Sequence, residues 1–220
     1  MLIEEAKWLS WEIAKLDPAA VYPMLNLGSS TAEFRSVHQP WIDRYLFAPA
    51  REKKLTVIHA DIRQDAGVDI VGDISDARFE ASLARLGIKS VLCSNLLEHV
   101  ADREPICAAI GRVVSAGGYV IVSVPFLYPF HRDPIDTMFR PSVDELTAAF
   151  PGFSLQTGAT IQAGTFMDLY RAGYGQLFKD MIRAAMATSV PRSWPLSLAM
   201  VPHLIRKFQV TCAVLQKQVQ

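Results

Sequence analysis

The residues of this chain best able to do chemistry recur just behind apolar runs. Gly28, Ser29 and Ser30 follow "VYPMLNL", His59 and Asp61 close "LTVIHAD", and Asp73 with Ile74 follows "VDIVG". Ser94, Asn95, Glu98 and His99 follow "IKSVLC", and His131 follows "GYVIVSVPFLYPF". A glycine followed by small hydroxyl residues lets a ligand approach the backbone closely. A strand-end aspartate is a fixed acceptor with several lone-pair sites. An imidazole that titrates near neutrality can take a proton from a hydroxyl, and Asp133 or Asp136 can orient it. Each feature also has a plainer reading. A single glycine is a tight turn, Asp61 and Asp73 are strand-end turns or helix caps, and His131, Asp136 and Arg140 are an ion-pair set that fixes a loop.

The elements that must position these residues read as alternating strands and helices. "VYPMLNL", "LTVIHA", "VDIVG", "IKSVLCS" and "GYVIVSVP" are strands, with helices in "DARFEASLARLG" and "DREPICAAIGRVVSAGG" between the later ones. Continuous apolar runs suit strands covered on both faces, hence a mostly parallel sheet. Asp102 is placed to cap its helix, with Pro105 in the first turn and "SAGG" as the stop. In such a sheet ligands sit beyond the carboxyl ends of the strands, so five loops converge on one edge. Asp61 stands 33 residues beyond Gly28, against about 20 in a dinucleotide fingerprint. The extra "RSVHQPWIDRYLFAPAREKK" is expected to lengthen the first helix and its return loop. "FSLQTGATI" and "KFQVTCAVLQKQ" are two late strands, and residues 165–205 between them are a helical insertion or cap. The whole of 1–220 reads as a single domain, the N-terminal "MLIEEAKWLSWEIAK" being an amphipathic helix.

Composition narrows the function. The 22 basic and 22 acidic residues cancel, so no global field attracts polyanions and nucleic acid is not a favoured partner. Cys93, Cys107 and Cys212 are odd in number and show no metal-type spacing, so they are expected as reduced core residues of a cytoplasmic protein. The N-terminus lacks a secretory pattern, and "WPLSLAMV" is too short and proline-broken to span a bilayer. Peripheral membrane contact stays open.

"VLCSNLLEHVADREPICAAIGRVVSAGGYVIVSVPF" resembles the fourth strand, helix and fifth strand of class I S-adenosylmethionine-dependent methyltransferases. "HRDPIDTMFRPSVDELTAAF" is similar to the run after that strand in members acting in sugar and cell-surface polysaccharide pathways, and "VTCAVLQK" resembles their last strand. The resemblance implies a Rossmann-like α/β fold with a seven-stranded sheet, helices on both faces, and S-adenosyl-L-methionine as cofactor. It implies a small-molecule or glycan acceptor, with O-methylation aided by His131 and Asp136. Carried over by position, Asn26, Gly28, Ser29 and Ser30 face the amino acid end of the cofactor. Asp61 takes the ribose hydroxyls, Asp73 and Ile74 meet the adenine, and Ser94 and Asn95 complete the pocket. The chain departs from the family in two places: Asn26 stands where an acid is usual, and Ser30 where a second glycine is. Some metal-dependent relatives bind an ion through E-x-x-E-H, but here Asn95 replaces the first glutamate. Glu98 and His99 then either hold an ion weakly, with His131, or cap a helix and line the pocket; the resemblance as a whole implies no metal. A fold that has lost turnover and a metal-assisted RNA methyltransferase are the rival readings.

Overall fold

The apolar runs at the centre of the sheet become strands buried on both sides. In the computed structural model, which describes residues 1–130, 135–165, 167–168 and 206–219, alternate side chains of a strand enter two separate cores. Val91 and Cys93 join one and Leu92 the other; Val120 and Val122 join the first, Tyr119 and Ile121 the second.

The strands are β1 (Met24–Leu27), β2 (Val57–Asp61), β3 (Ile70–Val71), β4 (Ser90–Ser94), β5 (Tyr119–Leu127), β6 (Phe153–Gln162) and β7 (Gln209–Lys217). They form one seven-stranded sheet in the order β3-β2-β1-β4-β5-β7-β6. The first five are parallel, and β7 runs antiparallel to both β5 and β6. The mostly parallel α/β sheet expected from the sequence is therefore present. Among the helices are α1 (Ile3–Ala14), α2 (Pro18–Val21), α3 (Pro40–Ile42), α4 (Ala48–Glu52), α5 (Ala77–Ala84), α6 (Arg103–Val113) and α7 (Val143–Ala148). Leu83 of α5, Ile110 of α6 and Leu146 of α7 pack on one face. Leu9 of α1 and Trp41 of α3 pack on the other. Cys93, Cys107 and Cys212 are free and buried.

Two local expectations need correction. The segment after Gly28 is not one lengthened helix but a chain of short pieces, with π-helical turns at Phe34–His38 and Asp43–Phe47 flanking α3 and leading into α4. Pro40 starts α3 and Pro49 is the second residue of α4, positions where the N–H that proline lacks is not needed within the helix. Asp102 does occupy the position before α6, but its side chain makes no capping hydrogen bond. The expected insertion at 165–205 and the "WPLSLAMV" run lie almost wholly outside the described residues. No described helix is long and apolar enough to cross a membrane.

The "SAGG" stop is tighter than a plain turn. Gly118 lies against Lys89, whose carbonyl accepts from Tyr119 N at 2.9 Å to start the pairing of β5 with β4. A Cβ on Gly118 would stand 2.0 Å from that same carbonyl oxygen. Gly118→Ala is thus expected to cost at least about 2 kcal/mol of stability, read by urea denaturation.

Candidate functional site

The order of the sheet reverses between β1 and β4, and that reversal opens a crevice at the carboxyl ends of the strands. A cavity of about 1200 Å³ lies there, lined by the loops that follow β1, β2, β3, β4 and β5. Asn26, Gly28, Ser29, Ser30, Asp61, Asp73, Ile74, Ser94 and Asn95 all line it, as do Glu98 and His99. Asp136 does not line it, and His131 lies outside the described residues.

The first loop leaves β1 with Gly28 at φ +69° and Ser30 at φ +54°. Gly28 lies beneath Leu96, whose Cδ1 would be 3.1 Å from an added Cβ. Ser29 N donates to Ala60 O at 3.0 Å, and Ser30 N donates to Asp61 Oδ2 at 2.8 Å. Asp61 Oδ1 accepts from Arg63 N. One carboxylate therefore pins the loop after β1 to the end of β2. Thr31 Oγ1 accepts from Phe34 N and begins the helical segment. From that segment the buried Arg35 reaches back, donating to the carbonyls of Ser29 at 2.8 Å, Ser30 at 2.6 Å and Gly67 at 2.7 Å. Burial pulls its guanidinium pKa down, and Asp69, Asp43 and Asp61 oppose that.

Asn26 is buried, and its side-chain amide nitrogen lies 3.0 Å from His59 Nδ1. Donation from the amide leaves the proton of the neutral imidazole on Nε2. Burial, with Arg35 adding to it, lowers the His59 pKa to about 4. Asp73 accepts from both the backbone N–H and the hydroxyl of Ser75. It is a strand-end turn at the cavity rim; the helix cap next to it is Asp76, which accepts from Arg78 N.

The end of β4 carries a buried polar cluster that pattern reading missed. Glu5 of α1 is fully buried, and its Oε1 accepts from Ser94 Oγ at 3.0 Å, Asn95 Nδ2 at 2.7 Å and Ser123 Oγ at 2.6 Å. Its Oε2 accepts from Leu2 N. Asn95, at φ +50°, is held on this carboxylate. An acid in an amphipathic helix normally reads as solvent-facing, so neither this placement nor the reach of Arg35 has a signal in the periodicity.

Glu98 and His99 sit on a 3₁₀ turn, Leu97–His99, ahead of α6, and neither caps that helix. His99 Nδ1 hydrogen-bonds the Ile135 carbonyl oxygen. Glu98 is 1% exposed; burial foremost, with Glu5 adding to it, raises its pKa to about 8. Among the described residues no three side chains are grouped to hold a metal ion. Asp136 binds Arg140 in a two-pronged ion pair, at 3.1 and 2.6 Å. That pair is two-thirds of the structural set that the sequence offered as the alternative to catalysis.

No protein-family model and no curated protein matches the sequence. Solved structures do match the fold. The O-methyltransferase segment of StiE aligns with a TM-score of 0.53 at 13% identity, over 99% of this chain and 74% of that one. An S-adenosylmethionine-dependent methyltransferase from Archaeoglobus fulgidus aligns at 0.50 and 10%, over 96% and 94%. The (4+2)-cyclase SpnF aligns at 0.54 and 13%, over 90% and 75%. This is the class I methyltransferase fold. At these identities the likeness concerns the fold alone, and the cyclase shows that one such scaffold carries other chemistry.

Within this methyltransferase fold, Ser30 stands at a backbone angle that favours glycine. Ser30→Gly is expected to hold or raise stability in urea denaturation, and Ser30→Val to lower it by about 1 kcal/mol or more. The two shifted groups give opposite pH dependences. Folded Glu98 keeps a proton that the unfolded chain loses, so stability falls from about pH 4.5 to 8 on its account. Folded His59 refuses a proton that the unfolded chain takes, so stability rises from about pH 4 to 6.5. Above pH 6.5 only the Glu98 slope remains of the two. Urea denaturation is expected to find the protein less stable at pH 8 than at pH 6.5, and Glu98→Gln to remove that fall.

Proposed function

We propose that the chain is an S-adenosylmethionine-dependent methyltransferase that O-methylates a neutral small molecule, a sugar or glycan-linked compound. The observation that carries this reading is the cavity itself, at the switch point of a methyltransferase-type sheet, with nine position-matched residues on its walls. The donor set fits the cofactor. Asp61 retains lone pairs for the ribose hydroxyls beyond its two backbone contacts. Asp73 and Ile74 offer a polar and an apolar contact for the adenine. Asn26, Gly28, Ser29 and Ser30 surround the amino acid end, and Ser94 and Asn95 stand on Glu5 beside it.

Bound S-adenosylmethionine supplies an activated methyl group on a sulfonium. The chain has to align an acceptor oxygen, exclude water and accommodate the proton released. The apolar Leu96, Val100, Pro125 and Phe130 line the cavity and suit the exclusion of water. His131 is the sequence's candidate for proton removal, with Asp136 held on Arg140 nearby in the chain. A binding module without turnover is the second reading. It is favoured by the first loop, whose Ser29 and Ser30 N–H groups are already engaged within the protein.

Asp61→Asn keeps an acceptor for Ser30 N but loses the charge. Isothermal calorimetry with S-adenosylhomocysteine is expected to show at least about tenfold weaker binding for this variant, the scale of a charge-assisted hydrogen bond. Unchanged affinity would place the ribose elsewhere. Binding by the parent protein without methyl transfer to any glycoside would favour the module.

A further inference from the structure

Glu98 is the group in the described residues whose chemistry is least explained by packing. It is 1% exposed, and neither carboxyl oxygen has a hydrogen-bond partner. His99 Nε2 stands 3.8 Å from Oε1, too far for a hydrogen bond. Buried carboxyl groups are almost always satisfied, and those of Glu5 and Asp136 are satisfied here. The backbone beneath Glu98 is nevertheless fixed: its carbonyl accepts from Thr137 N at 2.8 Å and Thr137 Oγ1 at 2.9 Å. Arg103 also ties Val100 O to Thr137 Oγ1. The residue lines the cavity beside Leu96, Val100 and Pro125. A rigidly held polar group with open valences in an apolar wall is what orients a small ligand.

We propose that Glu98 is an acceptor-binding residue, its carboxyl completing its hydrogen bonds on a hydroxyl of a neutral, polyhydroxylated small molecule. The assignment rests on the methyltransferase reading for the identity of the site and goes beyond it in naming the residue that receives the acceptor. A hydroxyl both donates and accepts, so it meets this carboxyl with or without the carboxyl's own proton.

Two measurements test it. In the unliganded protein, Glu98→Met removes a buried polar group that lacks a partner, and Tm is expected to rise by about 2–4 °C. A fall in Tm would mean that Glu98 supports the fold, for instance through a water to the likewise unpartnered Arg140 Nε, and would overturn the assignment. In protein saturated with S-adenosylhomocysteine, saturation-transfer NMR is run with methyl glucoside, methyl galactoside and methyl mannoside. The parent protein is expected to bind at least one, and Glu98→Met to bind it at least tenfold more weakly. Glu98→Gln, of the same shape, should retain an intermediate affinity. Equal binding by all three proteins, or none by the parent, would overturn the assignment. Failure of every protein to bind S-adenosylhomocysteine would instead sink the cofactor reading, and the Tm comparison would still decide whether Glu98 is held for the fold or for a ligand.

Discussion

A buried guanidinium holds together the loops on one side of the cavity. Arg35 gathers the carbonyls of Ser29, Ser30 and Gly67, which ties the loop after β1 to the loop between β2 and β3. With those carbonyls turned toward Arg35, the loop's N–H groups turn the other way, and Ser30 N meets Asp61. The strained φ of Ser30 is then over-determined from both sides, by a cation on its carbonyl and a carboxylate on its N–H. That is how a serine persists where glycine is the easier residue.

The opposite wall depends on a second buried charge. Glu5 draws Ser94, Asn95 and Ser123 together across the ends of β4 and β5, so α1 is part of the site's frame as well as a cover for the sheet. Asn95 replaces a glutamate of the metal-binding pattern, and here its amide donates to Glu5 instead of offering a charge to an ion. Glu98, the next acid along, is left buried and unsatisfied. The two walls thus differ in one respect: the Asp61 carboxylate is engaged by two backbone N–H groups, and the Glu98 carboxyl has no partner.

Much of the fold was legible because it depends on period and punctuation. Strands covered on both faces must be continuously apolar, and "SVLCS" and "YVIVSV" are; "SAGG" must turn where Gly118 meets Lys89. The residues that line the cavity followed from strand ends and the order of motifs. What was not legible rests on long-range polar reach. Arg35 and Glu5 belong to segments whose periodicity assigns charges to solvent, and only the packed chain shows them 6% and 0% exposed. The lengthened first helix failed for a local reason, since Pro40 and Pro49 outweighed the helical composition around them. Asp136 reads from the sequence either as a group that orients His131 or as part of an ion-pair set with Arg140; the pair with Arg140 is present, and His131 lies outside the described residues.

The central claim is that the crevice between β1 and β4 holds S-adenosylmethionine. A crystal structure of the protein soaked with S-adenosylhomocysteine tests it most directly. The account predicts the ribose hydroxyls within hydrogen-bonding distance of Asp61, the adenine beside Asp73 and Ile74, and the sulfur directed toward the Glu98 wall. A nucleoside bound elsewhere, or an empty crevice at saturating ligand, would contradict it.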